Sequence, residues 1–211
     1  MLSTAESAAE DEIAAIDAHP HHAGPVASAD ATMGGIASAP RERTTLRCLT
    51  IQQPWAWATF HGRTVEARAQ LHTTYRGTLA IHASPRWSND GGCSAQIDAA
   101  WKKATTHRTR AEYGRTSRLW TARGEIIGLT DLVDVHPETD DCGCQTWSQS
   151  TRDTHDGPRR RRMTHLVLEN PRALQEPIWC KGSSGLWAPP VNIADLIEAQ
   201  ELRAETSARP A

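Results

Sequence analysis

The first 45 residues contain no aromatic side chain, and a segment without one has little from which to build a core. They hold seven acids against two bases, and twelve of their first 40 positions are Ala. We read residues 1–45 as a disordered, acidic, Ala-rich leader, with His19, His21 and His22 as solvated tail and not a metal site. Also missing is any apolar run approaching the roughly 18 residues of a membrane helix. The opening MLSTAESAAEDEIAAID carries acids where a secretory signal would carry bases, so we expect a soluble cytoplasmic protein with no membrane partner. Cysteines are few, odd in number and scattered (Cys48, Cys93, Cys142, Cys144, Cys180), which excludes a dense disulfide framework and makes reduced thiols the expectation. Strong net charge is absent too, at −2, and the composition fits neither collagen nor coiled coil nor a wholly disordered chain.

All eleven aromatics, eight of them Trp, follow Leu46, and residues 46–211 suit a single compact domain. RCLTIQQ reads as a strand, and PWAWATFHG as a short helix over 54–61 with Pro54 at its first position and Gly62 as its stop. TVEAR and YRGTLAIHAS read as strands, the second with Leu79 and Ile81 on one face and Ala80 and His82 on the other. Residues 94–118 read as helix, GEIIGLTDLVDVHP and THLVLENP as strands, and 191–205 as a C-terminal helix capped by Asn192. Strands with dissimilar connections and no βαβ rhythm predict an α+β fold around a small mixed β-barrel with flanking helices. Residues 136–163 form a polar stretch too long for an ordinary connection, the kind of loop that is functional or disordered.

The blocks LTIQQPWAWATFHGRTVEAR, YRGTLAIHAS, GEIIGLTDLVDVHP, THLVLENP and GLW, in this order from Leu49 to Trp187, resemble the ASCH domain family, the activating-signal-cointegrator homology domains of the PUA-like superfamily. The resemblance implies a small barrel with a cleft used for RNA or modified nucleotides. The family signature, Gly-x-Lys-x-x-Glu-x-Arg, here reads Gly62, Arg63, Thr64, Val65, Glu66, Ala67, Arg68, one residue shorter and with Arg63 in place of Lys. Gln53, Pro54 and Trp55 match, as do Tyr75, Arg76, Gly77, His82 and Ser84, then His165, Glu169 and Asn170.

A cleft holding Glu66, Arg63, Arg68 and the Gln53 amide offers the donors and acceptors that a splayed base requires, with Trp55 or Trp57 as a stacking surface. For both tryptophans the residues alone favour core. The ligand-binding set is therefore Gln53, Trp55, Arg63, Glu66, Arg68, Tyr75, Arg76, His82, Ser84 and His165. A hydrolase of a modified nucleoside, or a ribonuclease, at the same cleft is the alternative, with Glu66 as general base and Arg63 or Arg68 facing the developing oxyanion. Some ASCH-like proteins are similar and hydrolyse acetylcytidine with the signature Lys; a guanidinium cannot give up its proton as that Lys would. His82 and Ser84 share a strand face and with Glu66 sketch a hydrolytic triad, although no nucleophile elbow accompanies Ser84.

Lys102, Lys103, Arg108, Arg110, Arg115, Arg118 and Arg123 face the single acid Glu112 in their segment, and Arg159 to Arg162 form a run. We take Lys102, Lys103, Arg159, Arg160, Arg161 and Arg162 as phosphate contacts, in modest and salt-sensitive binding, since residues 46–176 carry 18 bases against 14 acids. Cys142 and Cys144, one residue apart, could join His136, His155 or Cys180 on zinc; a lone pair with that gap reads instead as a free-thiol loop, so no metal and no cofactor are expected.

Overall fold

A computed structural model describes residues 46–69, 71–139, 141–144, 147 and 163–208. The leader and the run from Arg159 to Arg162 lie outside the described residues, as does His155. In chain order the elements are β1 (Arg47–Gln53), α1 (Trp55–Ala58), β2 (Val65–Ala69), β3 (Gly77–Trp87), α2 (Asn89–Gly92), α3 (Ala95–Thr105), α4 (Arg110–Thr121), β4 (Glu125–Pro137), β5 (Met163–Trp179), β6 (Leu186–Trp187) and α5 (Val191–Ala208). The strands make one sheet in the order β2-β5-β4-β3-β1-β6. β1 and β3 run parallel, and the other neighbouring pairs are antiparallel. The sheet curls into a half-barrel with helices on its flanks, the α+β architecture expected of the sequence.

Two cores follow from strand alternation. Leu49, Ile51, Leu79, Ile81, Ala83, Leu166 and Leu168 face α1, α3 and α4, which bring Trp55, Trp57, Ile97 and Leu119. The intervening Cys48, Ala80, Ile126 and Leu129 turn to the other face, where Ile193 and Ile197 of α5 cover them. The alternation read for Leu79 and Ile81 against Ala80 and His82 is thus the alternation observed.

Three local expectations are corrected. The helix over 94–118 is two helices, because His107 adopts a left-handed φ of 57° and Thr109 starts α4 with a capping box to Glu112. The helix at 54–61 is a single turn with Pro54 at its N-cap, not its first position, and the Arg63 N–H already returns to the Ala58 carbonyl at 3.0 Å. Asn192 lies inside α5 and does not cap it; the N–H groups of Ile193 and Ala194 reach the Pro190 carbonyl, each at 3.0 Å.

Candidate functional site

The signature segment builds a buried ionic cluster. Gly62, at φ 108°, gives the left-handed step that turns the chain out of α1, and Leu168 N–H bonds the Thr64 carbonyl at 2.7 Å to start the β2–β5 ladder. Glu66 and Arg68 pair in register with Leu166 and Thr164, so both share the face of the Leu166 core. Arg63, 4% exposed, pairs with Glu66 Oε2, and Arg68 Nε lies 2.8 Å from Glu66 Oε1. Arg63 also stacks over the Trp55 ring, its Cζ 5.3 Å from the centroid.

Arg68 additionally donates to the Thr50 carbonyl of β1. Since β2 and β1 stand first and fifth in the sheet order, this bond crosses the open side of the half-barrel, and the cluster sits at that closure. Thr50 is further held there by Trp187 Nε1, which donates to its Oγ1 at 3.1 Å.

The electrostatics of the cluster are unbalanced. Burial alone would raise the pKa of Glu66, which is 5% exposed, but Arg63 and then Arg68 outweigh it and hold the carboxyl below its ordinary range. Glu66 is therefore an ionised acceptor, and a carboxylate held low in this way is a weak base. Two guanidiniums against one carboxylate leave an excess positive charge. Nε and Nη1 of Arg63 are buried with no hydrogen-bond partner among the described residues.

Several residues expected at the cleft are elsewhere. The amide of Gln53 is fully used: Nε2 donates to the Leu119 carbonyl at 2.7 Å and to that of Ala122 at 3.4 Å, while Oε1 accepts from Trp57 N–H at 3.0 Å. It satisfies the open end of α4 and the start of α1 together, which corrects its reading as a ligand contact. Trp55 is core, its Nε1 donating to Ser88 Oγ at 3.0 Å, and it meets the site only as the surface beneath Arg63. Trp57 is fully buried, as favoured for both tryptophans. Tyr75 donates its hydroxyl to the Thr78 carbonyl at 2.6 Å, and exposed Arg76 lies 3.6 Å from Asp134.

The hydrolytic triad is not assembled. His82 pairs in register with Ile126 and so faces the α5 core, opposite the face that carries Glu66. Its Nε2 donates to the Cys180 carbonyl at 2.9 Å, and Ser84 Oγ accepts from the Arg86 N–H at 3.1 Å. Burial lowers the His82 pKa against its backbone bonds to Cys180 and Gly124, leaving a neutral structural ring. Cys48 is equally unsuited to nucleophilic work, its thiol pushed up to about 12 chiefly by burial.

A basic groove opens beside the signature turn. Phe60, His61, Gly62, Lys103, Arg108 and Arg115 line a cavity of about 380 Å³, in which Glu112 is the one acid among the described lining residues. Of the expected phosphate contacts, Lys103 faces this groove, whereas Lys102 is turned to Asp98 at 2.6 Å. Arg108 and Arg115 belong to the same groove, though residue type alone did not separate them from neighbours such as Arg118, which is held by Glu125 at 2.6 Å. His165 is not in the cleft. It stands with His136, Cys142 and Cys144 on the outer face of β4 and β5, a cluster that the free-thiol reading of the loop did not anticipate. The signal was there: His136 near the end of β4 and His165 near the start of β5 flank the Cys-containing connection.

No protein-family model and no curated protein matches the chain. Among solved structures it is similar to the ASCH protein of Zymomonas mobilis, at 12% identity and a TM-score of 0.43 over 74% of this chain and 94% of that one. Two single-substitution variants of that protein align at 13% and 14% identity, each with a TM-score of 0.46 over 74% of this chain. They cover 97% and 95% of those chains.

Proposed function

We propose that this chain binds RNA or a modified nucleotide, with the Arg63–Glu66–Arg68 cluster as the base- or phosphate-reading site and the adjacent basic groove following the backbone. One observation carries the proposal: a buried cluster with one cation more than it has anions, whose innermost guanidinium has N–H groups without partners among the described residues. Buried charge is costly unless matched, and an anionic or carbonyl-rich ligand supplies both the missing charge and the missing acceptors. A guanidinium fork suits phosphate and the acceptor edges of bases. Lys103, Arg108 and Arg115 beside Phe60 and His61 supply the mixture of cations and rings that single-stranded nucleic acid uses.

The experiment is retention of labelled single-stranded and hairpin RNA, and of a panel of modified nucleosides and nucleotides that includes acetylcytidine, by wild type and Arg68→Ala at two salt concentrations. Arg68 is the member to remove because its side chain is one-third exposed, at 33%. Salt-sensitive retention that disappears in Arg68→Ala supports binding. Turnover of any panel member that Glu66→Gln abolishes replaces this proposal with the hydrolase.

A further inference from the structure

The four side chains His136, Cys142, Cys144 and His165 place their ligand atoms within 4.8 Å of one another. The topology explains why. His136 and His165 are register partners on β4 and β5, so their rings rise from the same face, 5.6 Å apart between centroids. After β4 ends at Pro137, the chain turns back through Cys142, whose N–H bonds the Thr139 carbonyl at 3.3 Å. Gly143, at a left-handed φ of 65°, then lets the side chains of Cys142 and Cys144 on either side of it converge on the histidine pair. Cys142 Sγ lies 3.5 Å from His165 Nδ1, and Cys144 Sγ lies 3.3 Å from His136 Nε2.

From this geometry we infer a closed Cys2His2 site for a zinc ion, formed by His136, Cys142, Cys144 and His165. Zinc bonds of about 2.3 Å to sulfur and about 2.0–2.1 Å to nitrogen at tetrahedral angles put sulfur and nitrogen roughly 3.6 Å apart, close to the 3.5 and 3.3 Å of the two Cys–His pairs here. Two thiolates and two imidazoles are the soft, tetrahedral donor set that zinc favours over the oxygen-seeking hard cations. A further observation points the same way. His136 presents its other nitrogen, Nδ1, to Asp134 Oδ2 at 2.7 Å, so the carboxylate fixes the tautomer that leaves Nε2 free to ligate. Asp134 is two residues before His136 on the strand and therefore on the same face.

Four protein ligands leave no open position, so the role is structural. The ion staples the ends of β4 and β5 to the first residues of the connection between them. Trp147, three residues beyond Cys144, lies 3.6 Å from where a side chain on Gly62 would begin. The staple therefore holds the part of the connection that borders the signature turn.

The test is metal content of the full chain purified under reducing conditions without chelator, then reconstituted with one equivalent of Zn2+. We expect one zinc per chain, lost in Cys144→Ser and retained in Cys93→Ser, whose exposed thiol lies outside the cluster. Substitution with Co2+ in the wild type, which needs no variant to fold, should give thiolate-to-metal charge-transfer bands and the intense visible bands of a tetrahedral ion. Asp134→Asn should keep those bands while weakening Zn2+ affinity by roughly 10–100-fold in a chelator competition. Reduced wild-type protein that binds no zinc on reconstitution, or an octahedral cobalt spectrum, would overturn the inference. So would a full equivalent of zinc retained in Cys144→Ser.

Discussion

Glu66 can be buried because two guanidiniums share it, and the two differ in what their removal does. Arg63→Ala strips the buried carboxylate of its closest counter-charge, so we expect urea unfolding to show a loss of about 3–5 kcal/mol. Arg68→Ala, at the more exposed pair, should cost no more than about 1 kcal/mol through that ion pair, apart from its bond to Thr50. His82 gives a prediction in pH. Its folded pKa lies below the ordinary value of 6.5, so unfolding takes up a proton between the two values. The stability that neutral His82 contributes is fully present above about 6.5 and is lost as the pH falls towards the folded value. Compared with wild type over pH 7.5 to 5.5, His82→Asn should be less stable at the upper limit. It should also lose less on acidification, by up to about 1.4 kcal/mol per pH unit. Groups common to both proteins cancel in that difference. At this scale the sequence marked Gln53, Glu66 and Arg68 as special without saying why, since the Gln53 partner Leu119 is 66 positions away. Residue type cannot distinguish a capping amide from a ligand-reading one.

Among the elements, strands with a strict two-residue alternation were legible, because alternation is the burial pattern itself: Leu79 and Ile81 entered one core and Ala80 the other. The helical segment over 94–118 was legible as helix but not as two. Apolar periodicity carries across a short break, and a left-handed φ at His107 leaves no compositional trace comparable to glycine. Its restart did have a signal, Thr109 followed three residues later by Glu112. That capping box sets where α4 begins and hence where Arg115 and Arg108 stand around the groove. Thr109→Ala should lower stability by about 1 kcal/mol in urea unfolding, with Thr109→Ser close to wild type.

For the whole molecule, the curled sheet brings together the signature turn after α1, the closure from β2 to β1 and the α3–α4 pair. Neither the closure nor the His–Cys cluster could be read from local sequence. One depends on strands first and fifth in the sheet order, and the other on the register of β4 against β5. Binding as proposed divides between the ionic cluster and the groove, and each should leave its own signature on affinity. The most direct test is the affinity of wild type, Arg68→Ala and the double variant Lys103→Ala/Arg115→Ala for single-stranded RNA across a salt series. The same proteins are then titrated with the nucleotide that binds wild type best. We predict that Arg68→Ala no longer binds the nucleotide. The double variant should keep it, while its salt slope for RNA falls by about 0.7 for each phosphate that is no longer neutralised. RNA and nucleotide affinities unchanged in Arg68→Ala would contradict the account, and would leave Arg63, Glu66 and Arg68 as an ion cluster that serves the fold alone.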